Sequence, residues 1–249
     1  MNTMHTTYKT KIDGLEVAVR SNTFDVTRKT IVLIHGIGVS SAYFLPFAEQ
    51  LAPEYNVFTL DLPGYGKTAK PSKPLNVGEL AEITASFLIT RQLTDVILIG
   101  HSMGCQIVAE VNRLRPDKVR NLILLSPTVN RKERTVFMQG LRLLQDTFYE
   151  APKVNFIIFS DYIRMGVFRY LKTSKYMVDN HIEKALLNTT SPCLIVRGEN
   201  DHIVPRSWTE ELRRTSPAVL VREIPHAPHA FQYKHAQEAK DICQQFIEK

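Results

Sequence analysis

Asp95-Val96-Ile97-Leu98-Ile99-Gly100-His101-Ser102-Met103-Gly104, followed by Cys105-Gln106-Ile107-Val108-Ala109-Glu110-Val111, decides how this chain is read. The first five residues are short, apolar and β-branched, which predicts a buried strand. Cys105 to Val111 reads as a helix with an apolar face. Between them a serine sits two residues from a glycine on either side, the G-x-S-x-G pattern of a nucleophile elbow. Such a turn forces Ser102 into a crowded backbone conformation, and glycine at 100 and 104 removes the two Cβ atoms that would collide there. The hydroxyl is then held clear of the sheet, above the N–H groups that open the helix.

Working outward, strands and helices alternate. Tyr8 to Arg20 reads as a hairpin turning at Asp13-Gly14. Thr30–Ile34 is a buried strand ending in His35-Gly36-Ile37-Gly38, with a helix from Ala42 to Leu51. Asn56–Leu60 is a strand ending in Asp61-Leu62-Pro63-Gly64-Tyr65-Gly66, with a helix from Leu75 to Arg91. Asn121–Leu125, Cys193–Arg197 and Val219–Ile224 are further strands, with helices at Ser207–Arg214 and His235–Ile247. This alternation predicts an α/β fold: a mostly parallel central sheet with helices on both faces. Chemistry in such sheets gathers at the carboxyl ends of the strands, where His35-Gly36, Asp61, Ser102, Asp201 and His229 all fall.

From 128 to 187 strand signals give way to helical ones, and Phe137, Leu141, Leu144 and Phe148 share one helix face. The expected division is a core of 1–127 and 188–249, with a helical cap over the strand ends at 128–187. That cap holds nine of the aromatics, expected mainly to pack its helices inward, with some lining a pocket. It also carries ten Lys/Arg against six Asp/Glu, read as a solvated outer surface.

The net charge of +6 over 249 residues has no basic run or aromatic-interleaved stripe behind it, so nucleic acid is not an expected partner. The three cysteines, Cys105, Cys193 and Cys243, are odd in number and widely spaced, which fits neither a disulfide framework nor a metal site. Met1 to Thr7 lacks the apolar core of a signal peptide, and no apolar run is long enough to span a bilayer. A cytoplasmic protein is expected; the sequence assigns no oligomeric state.

A serine hydroxyl needs a base to take its proton, and the base works best when a carboxylate orients it. Two loops after later strands supply both: Gly198-Glu199-Asn200-Asp201-His202-Ile203-Val204-Pro205, and Pro225-His226-Ala227-Pro228-His229. On residue type alone Glu199 competes with Asp201, and His226 and His235 with His229. The order of these segments resembles the α/β-hydrolase superfamily, serine-nucleophile branch, from roughly Tyr8 to the C-terminus. The His35-Gly36 loop, Asp61–Gly66, Gly100–Gly104, Gly198–Asp201 and His229 carry the resemblance. It implies an α/β-hydrolase fold with a helical cap inserted after the sixth strand. Ser102 would be nucleophile, His229 general base, Asp201 the orienting acid, and the backbone N–H groups of Ile37 and Met103 the oxyanion hole, each donor worth about 10²–10³ in rate. No cofactor or metal is implied. Two positions depart from the family pattern: Pro228 stands where glycine often precedes the histidine, and Cys105 where a second small residue follows the elbow.

The expected substrate is a small molecule with an apolar part, a carboxylic ester or thioester cleaved through an acyl-enzyme. Epoxide hydrolases and haloalkane dehalogenases resemble this fold but carry Asp where this chain has Ser102. Ring-cleavage carbon–carbon hydrolases usually have asparagine and tryptophan where this chain has His101 and Ala230. Those hydrolases, or a lyase of the same fold, are the alternative, with a non-catalytic ligand receptor as a third reading.

Overall fold

Asp13 and Gly14 join β1 (Thr6–Ile12) to β2 (Leu15–Ser21) with φ of 47° and 82°. Positive φ at both central residues is what a type I′ turn requires, and its twist matches the strands it connects. The computed structural model describes all residues except 1–3, 5, 151 and 188. The leader-free reading of Met1 to Thr7 and the cap boundary at 188 therefore fall partly outside the described residues.

Six further strands follow: β3 (Thr30–Ile34), β4 (Asn56–Asp61), β5 (Val96–His101), β6 (Val119–Leu125), β7 (Cys193–Gly198) and β8 (Val219–Ile224). Together the eight strands form one sheet in the order β1-β2-β4-β3-β5-β6-β7-β8. β2 runs antiparallel to β1 and β4, and every other pair is parallel. The carboxyl ends of β3 to β8 consequently lie along one edge.

Strands β3 to β7 at the centre of the sheet are buried on both faces, and their side chains divide with the period of two that a pleated strand imposes. Val32, Ile34, Leu98, Leu122, Leu124 and Ile195 join one core, which α2 (Val77–Thr90), α3 (Met103–Leu114) and α8 (Arg206–Arg213) cover. Ile31, Leu33, Ile97, Ile99, Ile123 and Leu194 join the other, under α1 (Leu45–Leu51) and α10 (Ala236–Ile247). Helix starts follow local chemistry. The Asn76 side chain accepts from Glu79 N (3.0 Å) while Glu79 accepts from Asn76 N (2.7 Å), so α2 begins two residues after the expected Leu75. The helix expected from Ala42 is a 3₁₀ turn at Ser41–Phe44 followed by α1, with Pro46 in its first turn. The closing helix expected from His235 to Ile247 is α10, and a short α9 (Phe231–Lys234) precedes it.

After the sixth strand come four consecutive helices: α4 (Val136–Thr147), α5 (Pro152–Met165), α6 (Val167–Asp179) and α7 (Ile182–Leu186). Inward packing of their aromatics was expected, and the structure corrects it. Phe137, Leu141, Leu144 and Phe148 are 77%, 47%, 60% and 82% exposed, whereas Gln139 and Asp146 on the other side of α4 are buried. Helical periodicity found the stripe; it carries no information about which side faces the sheet.

A Cβ on Gly104 would run into the carbonyl oxygens of Ile34 and His35, and one on Gly100 into the Gly104 backbone. Gly104→Ala is therefore expected to cost about 1–3 kcal/mol of stability, as overpacking does. Urea unfolding followed by circular dichroism measures this; an unchanged midpoint contradicts the close packing of strand and helix at the elbow.

Candidate active site

The chain leaves β3 for β4 on one side and returns to β5 on the other, so strand order reverses between β3 and β5. Open α/β sheets form a crevice at such a switch point. There Ser102 follows β5 with φ 55° and ψ −121°, a backbone state that L-residues rarely adopt. Its N–H donates to the Leu125 carbonyl (3.0 Å) and its own carbonyl accepts from Cys105 N (3.0 Å). These two bonds hold the strained turn. Cys105 packs behind it as a buried thiol, 3.1 Å from Gly100 O and 3.2 Å from Leu125 O, with its pKa pushed up by burial.

The loop after β3 crosses close in front. A Cβ on Gly36 would stand 3.1 Å from the Ser102 Cβ, and Ile37 lines the same cavity as Ser102. Met103 is the first residue of α3, so its N–H has no acceptor within the helix. His101 ties this loop to the far side of the site. Tyr43 Oη accepts from Gly36 N (3.2 Å) and donates to His101 Nδ1 (2.6 Å), which leaves His101 Nε2–H to donate to the His229 carbonyl (3.0 Å). Burial, aided by the charge of His229, pushes the His101 pKa down to about 3, so the ring stays neutral. His35 has a similar bracing role between Gly36 O (2.8 Å) and Leu62 N (3.1 Å). Asp61 caps its own turn by accepting from Lys67 N (2.8 Å), and also accepts from Ser41 N (2.7 Å).

His229 and Asp201 meet. His229 Nδ1 lies 2.9 Å from Asp201 Oδ2, and both side chains are buried. Asp201 Oδ1 accepts from the N–H groups of Ile203 and Val204, each at 2.9 Å. Burial favours the neutral form of both groups. For Asp201, the His229 charge and hydrogen bonds from His229, Ser126 and Val204 outweigh it and hold the carboxyl below its ordinary range. For His229, the pull of Asp201, joined by Asp146 and Glu150, outweighs it and raises the pKa. With Nδ1 donating to Asp201, the other nitrogen is the free acceptor, and His229 Nε2 is buried without a partner among the described residues. The rivals pair elsewhere. His226 N donates to Glu199 (2.7 Å) and its exposed ring sits 3.3 Å from the same carboxylate. His235 bonds Glu238 at 2.6 Å on the outer helix, and His202 stacks on Tyr149.

Ser102, His101 and His229 line one cavity of about 580 Å³. Much of its remaining wall comes from the inserted helices, with Leu143, Leu144, Ile158, Phe159, Tyr162 and Tyr170 presenting apolar surface. Two acids also reach in, and neither was singled out from the sequence. Asp146 Oδ1 accepts from His229 N (3.4 Å) and Glu150 Oε1 from Ala230 N (2.6 Å). The two side chains also hydrogen-bond each other. Burial raises both carboxyls; the charge of Asp201 adds to it at Asp146, where the His229 charge and the hydrogen bond with Glu150 oppose it, and the charge of Asp146 adds to it at Glu150. Their four-residue spacing, with Asp146 on the side of α4 away from its apolar stripe and Glu150 just past its end, was the available signal. No Lys or Arg lines the cavity among the described residues.

The family model of the alpha/beta hydrolase family matches residues 31–241, and the chain belongs to that family. A Mycoplasma genitalium protein named as an esterase/lipase is 25% identical over 228 residues, covering 81% of this chain and 84% of the relative. A 2-(acetamidomethylene)succinate hydrolase of Mesorhizobium japonicum is 24% identical over 224 residues, covering 80% and 81%. The solved structure of a thermophilic esterase from Thermogutta terrifontis superposes with a TM-score of 0.81 at 19% identity, covering 98% of both chains. Within the family, these relatives put the chain among hydrolases.

The hydrogen-bond network predicts different titrations for the two histidines in the cavity. In NMR of the imidazole carbons, His101 should show no titration between pH 5 and 8, while His229 titrates with a midpoint above the ordinary 6.5. A His101 midpoint near 6.5 would contradict its bracing role.

Proposed function

We propose that this protein is a carboxylic ester hydrolase in which Ser102, His229 and Asp201 form a catalytic triad. The observation that carries the reading is the buried His229–Asp201 pair: His229 lines the same cavity as Ser102, and its Nε2 has no hydrogen-bond partner among the described residues. In this mechanism Nε2 takes the Ser102 hydroxyl proton as Oγ attacks the ester carbonyl. The oxyanion of the tetrahedral intermediate accepts from the N–H groups of Ile37 and Met103. His229 then protonates the leaving alkoxide, and a water activated the same way releases the acid and restores Ser102. Asp201 keeps the proton on Nδ1 and stabilises the imidazolium.

The segment 128–187 serves as the cap that supplies the apolar wall of the site. A cavity walled by Leu143, Leu144, Ile158 and Phe159 suits an apolar acyl or alcohol chain. Asp146 and Glu150, with no cation opposite them, disfavour a substrate bearing carboxylates, such as the one in the Mesorhizobium relative's name. That places the reading with neutral esters, and thioesters are open to the same machinery. Free, buried Cys105, Cys193 and Cys243 fit a reducing, cytoplasmic setting.

Short-chain p-nitrophenyl esters should be turned over, with kcat falling by about 10⁴-fold or more in Ser102→Ala and about 10⁴-fold in Asp201→Asn. A fluorophosphonate adduct found on Ser102 by mass spectrometry identifies the nucleophile; labelling elsewhere, or turnover that survives Ser102→Ala, overturns the assignment. The neutral form of His229 is the base, so kcat/KM should rise with pH to a plateau, with its midpoint above 6.5 because the His229 pKa is raised. In Asp201→Asn that midpoint should move down. Selectivity gives a separate check: an acyl chain ending in a carboxylate should be cleaved far more slowly than a neutral chain of equal length. Equal rates would remove the acidic pair from substrate selection.

A further inference from the structure

Helix α4 is mounted with its polar side inward and its apolar side in water: Gln139 and Asp146 are buried, and Phe137, Leu141, Leu144 and Phe148 stand out. The next two helices extend the same character. Phe156, Phe159 and Ile163 are exposed at i, i+3, i+7 of α5, and Val167, Phe168 and Leu171 are exposed on α6. Large apolar side chains in water at this density mark a surface that is covered in use. Leu144 and Phe159 belong both to this surface and to the cavity wall, so the apolar face runs to the rim of the site.

The exposed charges of this face that lack an opposite partner among the described residues have one sign. Every carboxylate of the inserted segment is engaged. Glu133 pairs with Arg142, Asp179 with Lys175 and Glu183 with Arg134; Asp161 accepts from Ser40, and Asp146 and Glu150 line the cavity. Lys132, Lys153, Arg164 and Lys172 are exposed and have no carboxylate partner among the described residues. Lys153 lies three residues before Phe156, Arg164 follows Ile163, and Lys172 stands four residues after Phe168 on the same side of α6. Phenylalanine and leucine between unpaired cations is the composition of a helical surface that lies in an anionic membrane interface. The long cationic side chains can reach back to headgroups while the rings enter the acyl boundary. A two-fold pairing of two copies through this face would instead set the same unpaired cations against one another.

We propose that the outer face of α4–α6 docks on an anionic phospholipid bilayer, bringing the rim of the Ser102 cavity to the lipid surface. No helix among the described residues is long and apolar enough to cross a membrane, so the association is peripheral. It requires no turnover, and its test is independent of the ester reading.

The test is co-sedimentation of the full chain with sucrose-loaded vesicles of phosphatidylcholine alone or mixed with phosphatidylglycerol. Wild-type protein should partition onto the mixed vesicles, weakly onto phosphatidylcholine alone, and less as salt is raised. Phe148→Ser/Phe156→Ser/Phe168→Ser should reduce partitioning by about tenfold or more, and so should Lys153→Glu/Arg164→Glu. All five side chains are exposed, and an unchanged thermal midpoint for each variant verifies that the fold is kept. Wild type that stays in the supernatant, or variants that sediment as wild type does, overturns the proposal. Sedimentation equilibrium provides the other arm: a dimer abolished by the phenylalanine substitutions assigns the face to a second copy and overturns it as well.

Discussion

The loop that carries His229 is the constraint on which the site depends. A loop after the last strand has no ladder to hold it, yet its imidazole must be kept in one place beside Ser102. Four elements fix it. His101 at the end of β5 donates to the His229 carbonyl, and Ser126 after β6 reaches the same oxygen at 3.4 Å. Asp201 after β7 takes the ring, while Asp146 and Glu150 from the inserted segment take the N–H groups of His229 and Ala230. The ends of β5, β6 and β7 therefore each contribute one bond to the loop. The imidazole is therefore positioned by bonds made around the histidine as well as by the bond to its ring.

These bonds also explain how so much charge is buried at little cost. Asp201 has two backbone N–H donors and a histidine, so its lone pairs are answered inside the protein. A second carboxylate facing the same ring would be expensive, and burial pushes both Asp146 and Glu150 toward their neutral forms. His101, a third ionisable group in contact with the site, is kept neutral by burial and spent on hydrogen bonds. The inserted helices thus contribute more than an apolar wall, since their two acids touch the backbone of the histidine loop.

Much of this was legible in the sequence, and the limits are physical. The hairpin at Asp13-Gly14, the parallel strands and the helical insertion after the sixth strand follow from turn chemistry and periodicity alone. Ser102 was marked by two glycines whose Cβ atoms have no room. The geometry sets Asp201 against His229, and Glu199 against His226, a pairing that residue type alone left open. Asp146, Glu150 and Tyr43 were not legible, because each acts through contacts between segments far apart in the chain. The orientation of α4 was misread for a related reason. An amphipathic pattern gives the stripe but not its partner, and the ordinary assumption that the apolar side faces the protein does not hold for this helix.

Two surfaces of one insertion therefore carry separate chemistry, an acidic inner side bonded to the histidine loop and an apolar, basic outer side. The inner side bears on the central claim, that Ser102, His229 and Asp201 act as one unit across three strand ends. The most direct measurement is the kcat of Ser102→Ala, of His229→Ala, and of the two combined on one p-nitrophenyl ester. If the residues are a single proton-transfer chain, the double variant retains the same residual rate as either single one. Losses that multiply in the double variant would show two residues working independently, and the account of a triad would be wrong.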